Sequence, residues 1–258
     1  MKTNFHTHTY RCLHATGTEK DYVEEAINRD LDVLGFSDHA PFPDKDYGLR
    51  MRYEELEDYI SETDRLKSLY KNRIRIYKGL EIEYHPYYTE YYTTLLKKFK
   101  LDYLALGEHT YTTNSGAFRN IFFAESTNDY ADYAYAVSEA VATGFFSFVA
   151  HPDLMMLNEF AWDKNCDKAC DLILCAAEKY DIPLEYNANG FRRGIKHYPD
   201  GVRYPYPDDR FWKLVSGSKI RVIVGSDCHT PEQIRDEAVI RAESKCAELG
   251  LNMIDSIF

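Results

Sequence analysis

Seven short apolar runs in this 258-residue chain are each followed by acidic, histidine or asparagine residues. In chain order these residues are His6 and His8, Asp38 and His39, Glu81, Glu108 and His109, His151 and Asp153, Asn187 and Asn189, and Asp227 and His229. In a parallel α/β barrel the carboxyl ends of all strands lie on one face, where catalytic residues collect. The recurrence therefore predicts that these side chains converge on one site.

Strand and helix patterns alternate along the whole chain. Runs rich in β-branched residues, typical of buried parallel strands, predict seven strands at 3–8, 32–37, 74–81, 102–106, 146–150, 183–187 and 220–225. A helix is expected after Thr18, which has capping-box spacing to Asp21, and further helices at 53–70, 89–98, 130–142, 167–179, 208–215 and 231–249. Since no low-complexity linker interrupts the pattern, we predict a single domain, 1–258.

Seven strand–helix pairs predict an α/β fold, a distorted (β/α)7 barrel with parallel strands and a metal site at their C-terminal ends. An eight-unit barrel would need one more pair than the sequence contains. An open doubly wound sheet is the alternative. It is disfavoured because such a sheet binds ligands at one switch point, whereas polar residues follow all seven strands.

Composition restricts the partners. The formal net charge is −11, which argues against nucleic-acid binding, since that requires a basic surface. No apolar stretch is long enough to span a membrane or to act as a signal peptide, so we expect no membrane partner and a cytoplasmic location. The six cysteines include no Cys-x-x-Cys pair, and no disulfide framework is expected.

Two pairs of polar residues are separated by a single residue: His6 with His8, and Asp227 with His229. Residues two apart on a strand face the same way, so both members of each pair can reach one metal ion. One His-x-His pattern can occur by chance. In a closed barrel, however, the last strand lies beside the first, and the two pairs would become neighbours. This arrangement favours a metal site.

Carboxylates also end two of the buried strands, at Asp38 and Glu81. A buried carboxylate is costly unless it is paired or bound to a cation. Because His39, His109 and His151 occupy equivalent strand ends, metal binding is the simplest explanation. Imidazole and carboxylate ligands suit zinc, iron or manganese.

The remaining histidines lie in loops. From position alone, His14 is expected to be a surface histidine, and His85 and His197 are expected to be ordinary loop histidines. Cys228 alternates with Asp227 and His229 and is expected to pack in the opposite direction. No nucleophile elbow or glycine-rich phosphate loop is present, so water activated by metal is the expected attacking group.

Together these motifs resemble the PHP (polymerase and histidinol phosphatase) superfamily, and within it the stand-alone histidinol-phosphatase branch. The resemblance extends over essentially the whole chain. The matching segments are His6-Thr7-His8, Cys12-Leu13-His14-Ala15, Phe36-Ser37-Asp38-His39-Ala40-Pro41, Gly79-Leu80-Glu81, His109, Ala150-His151-Pro152-Asp153, Glu185-Tyr186-Asn187-Ala188-Asn189-Gly190-Phe191-Arg192 and Gly225-Ser226-Asp227-Cys228-His229.

The resemblance implies three divalent metal ions, of zinc, iron or manganese. The implied ligand groups are His6, His8, Glu81 and Asp227; Glu81 as a bridge with His109 and His151; and His14, His39 and His229. By this resemblance His14 becomes an expected ligand rather than a surface residue.

The resemblance further implies hydrolysis of a phosphate monoester by metal-activated hydroxide, with L-histidinol phosphate as the favoured substrate. Arginine can bind phosphate through two parallel hydrogen bonds. Arg192 is the expected substrate contact by motif position, and Arg119 is a second candidate from a loop long enough to form a pocket wall. Asp38 is the candidate catalytic residue, which would orient a ligand or protonate the leaving alkoxide; orienting is favoured.

Two residues depart from the family pattern. Glu108 stands where a small or apolar residue is expected, and Ala188 lies where a hydroxyl residue is commoner. A carboxylate at position 108 near the metals would alter substrate choice. The alternatives are a phosphoesterase acting on another ester or a nucleotide, a metal hydrolase of amides or lactones, and a non-catalytic binding module. The complete ligand set argues against the last.

Overall fold

In a computed structural model, which describes residues 1–258, eight short strands form one parallel sheet in chain order. Numbered along the chain, they are β1 (Thr3–Asn4), β2 (Val33–Phe36), β3 (Arg75–Ile82), β4 (Tyr103–Leu106), β7 (Phe148–Val149), β8 (Leu184–Asn187), β11 (Arg221–Gly225) and β12 (Asn252–Met253). Two antiparallel hairpins lie outside this sheet: β5 (Thr110–Thr112) with β6 (Phe118–Asn120), and β9 (Lys196–Tyr198) with β10 (Gly201–Arg203).

Helices connect the strands of the sheet. They are α1 (Glu19–Asn28), α2 (Leu56–Leu69), α3 (Thr89–Lys97), α4 (Asp129–Ala142), α5 (Lys164–Lys179), α6 (Asn189–Arg192), α7 (Asp209–Val215) and α8 (Glu237–Glu248). The expected capping box is present: Thr18 accepts from the Asp21 amide, and the Asp21 carboxylate accepts from the Thr18 amide. None of the helices combines the length and apolar character needed to cross a membrane.

The sheet curls until its first and seventh strands meet. Thr7 forms a parallel bridge with Cys228, and the His8 amide donates to the Cys228 carbonyl at 3.1 Å. On the N-terminal side of this bridge, the Asn4 side chain replaces backbone hydrogen bonds between the two strands. It accepts from the Ser226 amide at 2.8 Å. This substitution explains why β1 has only two residues instead of the predicted six. The distorted barrel expected from the sequence is confirmed.

An eighth strand, β12, which the sequence pattern did not indicate, lies at the edge of the sheet next to β11. β12 pairs with β11 through Arg221 and Asn252. Ile254 and Ile257, which follow it, pack against the apolar cluster inside the barrel that contains Phe5. The C-terminal segment therefore contributes to the barrel interior on the side away from the predicted site.

Apolar side chains fill two separate layers. A cluster of 61 buried residues joins the outside of the sheet to the helices. A smaller cluster of seven fills the barrel interior, where Tyr103 donates to the carbonyls of Phe5 and Phe36 at 2.8 Å each. The interior is thus packed beneath the carboxyl ends of the strands, and the polar residues there lie on an apolar base.

Candidate metal centre

The carboxyl ends of the strands surround a cavity of about 480 Å³. Seven of the expected ligands line it: His14, His39, Glu81, His109, His151, Asp227 and His229. The other two, His6 and His8, are fully buried and contact Glu81 and Asp227. The structure thus brings all nine residues together.

The Glu81 carboxylate lies at the centre of this group and is 1 % exposed. Its Oε2 atom is 3.3 Å from His6 Nε2, 3.4 Å from His8 Nε2 and 3.0 Å from His39 Nδ1. Three imidazole nitrogens therefore face one carboxylate oxygen. His6 and His8 follow β1, and His39 follows β2.

The second oxygen of Glu81 faces the other side of the cavity. Its Oε1 atom is 2.8 Å from His151 Nε2 and 3.7 Å from His109 Nε2. With its two oxygens directed to two sets of imidazoles, Glu81 could contribute a ligand atom on each side of the cavity.

A third group lies towards solvent. Ligand atoms of His14, His39 and His229 are all within 4.8 Å of one another. The Nε2 atoms of His14 and His229 are 2.9 Å apart. His39 belongs to this group and also contacts Glu81, so it links the outer group to the centre.

The arrangement fits divalent cations better than hydrogen bonding alone. The Nε2 atoms of His6 and His8 face each other at 3.0 Å, and two lone pairs cannot do so unless a proton or a cation lies between them. Glu81 Oε2 and His8 Nδ1 are buried without a hydrogen-bond partner, although most buried polar atoms have one. Imidazole and carboxylate form a donor set for zinc, iron or manganese.

Electrostatics at the site point the same way. Burial lowers the pKa of His39 to about 4, so its ring is neutral, as a metal ligand must be. Burial also opposes a proton on His6, but the charges of Glu185 and Asp227 outweigh it and raise the pKa of His6 well above its usual range. A field that favours a proton on His6 favours a metal cation there as well.

A carboxylate that received no role from the sequence lies behind two of these histidines. Glu185, on β8, is fully buried, and its Oε1 is 2.8 Å from His6 Nδ1. Its Oε2 accepts from the His151 amide at 3.0 Å and from Asn187 at 2.8 Å. Such partners fix the orientation of metal-binding imidazoles. The available signal was an acidic residue inside an otherwise apolar strand.

Glu83 has the same relation to His109. Its Oε1 lies 3.2 Å from His109 Nδ1, and Arg50 pairs with both of its oxygens at 2.9 and 3.0 Å. Burial would raise the pKa of Glu83, but Arg50 and His109 lower it well below its usual range. Glu83 follows Glu81 by two residues, so their side chains share one face of the chain. That spacing could have identified it.

Two expected ligands have backbone conformations that are uncommon for residues other than glycine. The φ angle is +30° at His151 and +48° at Asp227. Such strain persists only where surrounding contacts enforce it. The His151 amide is held by Glu185, and Asp227 Oδ2 accepts from Asn187 and Asn189 at 3.2 Å each.

Two glycines leave space for the buried carboxylates. A Cβ atom at Gly107 would lie 2.1 Å from Glu81 Oε1, and one at Gly225 would lie 1.7 Å from Glu185 Oε1. Real Cβ atoms do not come so close to other heavy atoms. Any side chain at either position would displace a carboxylate of the site.

Arg192, expected to contact substrate, is not among the residues that line the cavity. Its guanidinium donates to both carboxylate oxygens of Asp236 and to oxygens of Ser226 and Gln233. Because its donors are used in this way, Arg192 stabilises the start of α8. The geometry does not support its expected contact with substrate. Its neighbour Arg193 lines the cavity instead and donates to the Tyr206 hydroxyl at 2.9 Å.

Arg119 also lies away from the cavity. It is exposed on β6 and pairs across the hairpin with Tyr111. The adjacent pair, Thr110 and Asn120, lines the cavity. Because side chains alternate along a strand, Arg119 faces the opposite side, and this geometry does not support its expected substrate role.

Asp38 and Glu108 are both buried outside the cavity. Asp38 accepts from the amide and hydroxyl of Thr9 at 2.7 Å each, and burial raises its pKa to about 7. It positions the segment after β1 and is not among the residues that line the cavity. Glu108 accepts from the Tyr84 amide at 2.8 Å, and burial raises its pKa well above the usual range. The expectation that Glu108 faces the metals is wrong.

Three residues outside the ligand set complete the comparison with expectation. His197 is exposed but lies on β9, not in the predicted loop. His85 lies in a loop, as predicted, where it is fully buried and stacks between the rings of Tyr47 and Tyr87 at interplanar angles of 12° and 11°. Cys228 packs in the main core, as predicted.

A family model described as the PHP domain matches residues 4–189 of this chain. The chain belongs to the PHP family. Over 236 residues it is 30 % identical to a Deinococcus radiodurans protein named probable histidinol-phosphatase, covering 89 % of this chain and 86 % of that protein. It is 26 % identical over 259 residues to the histidinol-phosphatase of Bacillus subtilis, covering 89 % and 94 %.

A solved structure shares the fold. It is the histidinol phosphate phosphatase of Lactococcus lactis, complexed with zinc, L-histidinol and phosphate. The TM-score is 0.71 at 17 % identity, and the match covers 98 % of this chain and 95 % of that one. The family model and the Deinococcus relative confirm the PHP family membership expected from the sequence motifs.

Proposed function

We propose that this PHP-family chain is a metal-dependent phosphatase that hydrolyses L-histidinol phosphate to L-histidinol and inorganic phosphate, a step of histidine biosynthesis. The observation that carries the proposal is Glu81, which lies among five imidazoles at the floor of the cavity. The names of the relatives from Deinococcus and Bacillus support the substrate.

We further propose that the site holds three divalent ions of zinc, iron or manganese. The proposed ligand groups are His6, His8, Glu81 and Asp227; Glu81, His109 and His151; and His14, His39 and His229. When bound, the ions supply positive charge beside the phosphate oxygens and acidify water that can attack phosphorus.

The protein's own side chains prepare the cavity for this reaction. Glu185 and Glu83 hold the Nδ1 atoms of His6 and His109, which leaves the Nε2 atoms directed towards Glu81. Arg193 reaches the cavity wall from the end of α6 and is the proposed contact for phosphate oxygens. Its link to the Tyr206 hydroxyl orients the guanidinium.

Residues 1–258 are proposed to act as one domain, because a single parallel sheet extends from Thr3 to Met253. The partner is a small phosphorylated substrate that fits a cavity of about 480 Å³. A cytoplasmic location is proposed in keeping with a biosynthetic reaction.

A panel of esters tests this function. Purified protein would be stripped with chelator, reloaded separately with zinc, manganese or iron, and assayed for phosphate release. We expect the highest kcat/KM for L-histidinol phosphate over p-nitrophenyl phosphate and AMP, and none in the stripped protein. Equal turnover of p-nitrophenyl phosphate would refute the proposed substrate. Hydrolysis of amides or lactones without any phosphate release would refute the phosphatase itself.

A further inference from the structure

Phe123 lines the cavity while its ring is largely exposed to solvent. It is 79 % exposed, the highest value among the large exposed apolar side chains of this chain. Exposing a large aromatic ring to water is unfavourable. Exposed apolar surface at the mouth of a cavity is typical of a ligand-binding position.

The turn that carries Phe123 is firmly held. It is a short 3-10 helix, Ile121–Phe123, whose first turn is capped because Asn120 accepts from the Phe122 amide at 2.9 Å. Ile121 is fully buried, and its amide donates to the His109 carbonyl at 2.9 Å. Asn158 donates to the Ile121 carbonyl at 2.9 Å. The ring at position 123 therefore extends from a fixed backbone.

The same turn contacts the metal centre directly. The ring of Phe122 is parallel to that of His109 within 6°, with centroids 6.0 Å apart. Phe123 is the next residue. Phe123 lines the same cavity as His109 and Glu81, so a group that stacks on Phe123 lies at the mouth of the cavity that holds them.

Each carboxylate that lines the cavity already has hydrogen-bond or imidazole partners. Glu83 pairs with Arg50 and His109. Asp227 accepts from two asparagines and contacts His8, and Glu81 faces imidazoles on both sides. No carboxylate on the wall remains free to recognise the organic part of a substrate. The cavity is also lined by the aromatic rings of Tyr47, Phe122 and Phe123.

We infer that Phe123 determines specificity by stacking on a planar ring in the organic part of the ester, while the phosphate binds near the proposed metal ligands around Glu81. This inference rests on the proposed function. Aromatic stacking favours ring-bearing over ring-free substrates, because only the former have a flat face to cover Phe123. Phe123 is a binding residue and takes no part in bond cleavage.

Calorimetric binding of two amino alcohols tests the inference without requiring turnover. L-histidinol carries an imidazole ring, and L-alaninol has the same amino alcohol without a ring. Both would be titrated into metal-loaded wild type, Phe123→Ala, Phe123→Trp and the control Tyr135→Ala, which removes an aromatic ring exposed on α4.

We expect Phe123→Ala to weaken L-histidinol binding by roughly 3- to 12-fold relative to L-alaninol. Phe123→Trp should retain wild-type discrimination, and Tyr135→Ala should behave as wild type. Equal binding of L-histidinol to Phe123→Ala and wild type would overturn the inference. So would an equal loss for both amino alcohols, or no measurable binding of either to wild type.

A kinetic arm separates this inference from the proposed substrate. The ratio of kcat/KM for a ring-bearing ester to that for O-phosphoethanolamine should fall in Phe123→Ala. If wild type cleaves another ring-bearing ester but not L-histidinol phosphate, and the ratio still falls, the substrate assignment fails and the role of Phe123 stands.

Discussion

The metal centre has a buried floor and an exposed rim, and the two are built differently. On the floor, His6 and His8 are fully buried and Glu81 is 1 % exposed. On the rim, His14 is exposed and the side chain of His229 is 21 % exposed. All of these residues follow strands of one barrel, so the difference comes from what lies behind each ligand.

A carboxylate supports His6 on the floor, whereas backbone carbonyls support the two rim histidines. His6 Nδ1 contacts Glu185, but His14 Nδ1 contacts the Cys12 carbonyl at 2.8 Å and His229 Nδ1 the Asp227 carbonyl at 3.2 Å. A full negative charge strengthens an imidazole ligand more than a neutral carbonyl does. We therefore expect the floor to retain metal under conditions in which the rim exchanges it.

The largest effect is expected from the floor itself. Glu81→Gln removes the charge that faces five imidazoles, so we predict loss of at least two ions per chain and a fall in kcat/KM of more than about 100-fold. Metal content by mass spectrometry and phosphate release measure both. The control is Glu90→Gln, an exposed carboxylate on α3. Full metal content in Glu81→Gln would remove the distinction between floor and rim.

Removal of the support behind the floor should have the next largest effect. Glu185→Gln keeps the shape and one acceptor beside His6 but loses the charge. We predict that zinc affinity falls by roughly 10- to 100-fold, measured by competition with a chromogenic chelator. Unchanged affinity would show that burial alone, and not the carboxylate, distinguishes the floor.

A rim substitution should be milder. His14→Ala is predicted to cost one ion per chain and to lower kcat/KM by about tenfold at limiting metal. Excess metal should restore part of the activity, because mass action compensates for weakened binding. Loss of all bound metal in this variant would mean that the rim and the floor load as one unit.

The smallest effects should separate two adjacent arginines. Arg192→Ala removes an ion pair with Asp236 and is predicted to cost about 2 kcal/mol, a fall in Tm of about 4–8 °C, without changing KM. Arg193→Ala should leave Tm nearly unchanged and raise KM for the phosphate ester. Differential scanning fluorimetry and steady-state kinetics distinguish them, and the reverse assignment would restore Arg192 as the substrate contact.

The floor could be predicted from the sequence, because the spacing of His6 with His8 and the strand-end position of Glu81 follow directly from strand periodicity. The supports could not be assigned in the same way. Glu185 and Glu83 are visible in the sequence as acidic residues in or directly after buried strands, but only the structure shows which imidazole each one contacts. The family resemblance, not the spacing, identified His14.

The expectations that the geometry does not support have local causes. Arg192 and Arg193 follow one another at the end of the four-residue helix α6, where successive side chains point about 100° apart. A difference of one position therefore decides whether the arginine side chain lines the cavity, as in Arg193, or packs outside it, as in Arg192. β4 ends at Leu106, before Gly107, so strand alternation no longer predicts where Glu108 points. The two-residue β12 is too short to produce a periodic pattern.

Gly107 and Gly225 have a consequence for directed evolution of this enzyme. Neither glycine provides a metal-ligand atom. Because each lacks a side chain, it leaves the space that a buried carboxylate fills. Saturation libraries at these two positions should tolerate almost no replacement, whereas libraries at the exposed loop residues Leu49 and Phe123 can be wide. Attempts to broaden the substrate range therefore have most freedom at the cavity mouth and least in the strand ends beneath it.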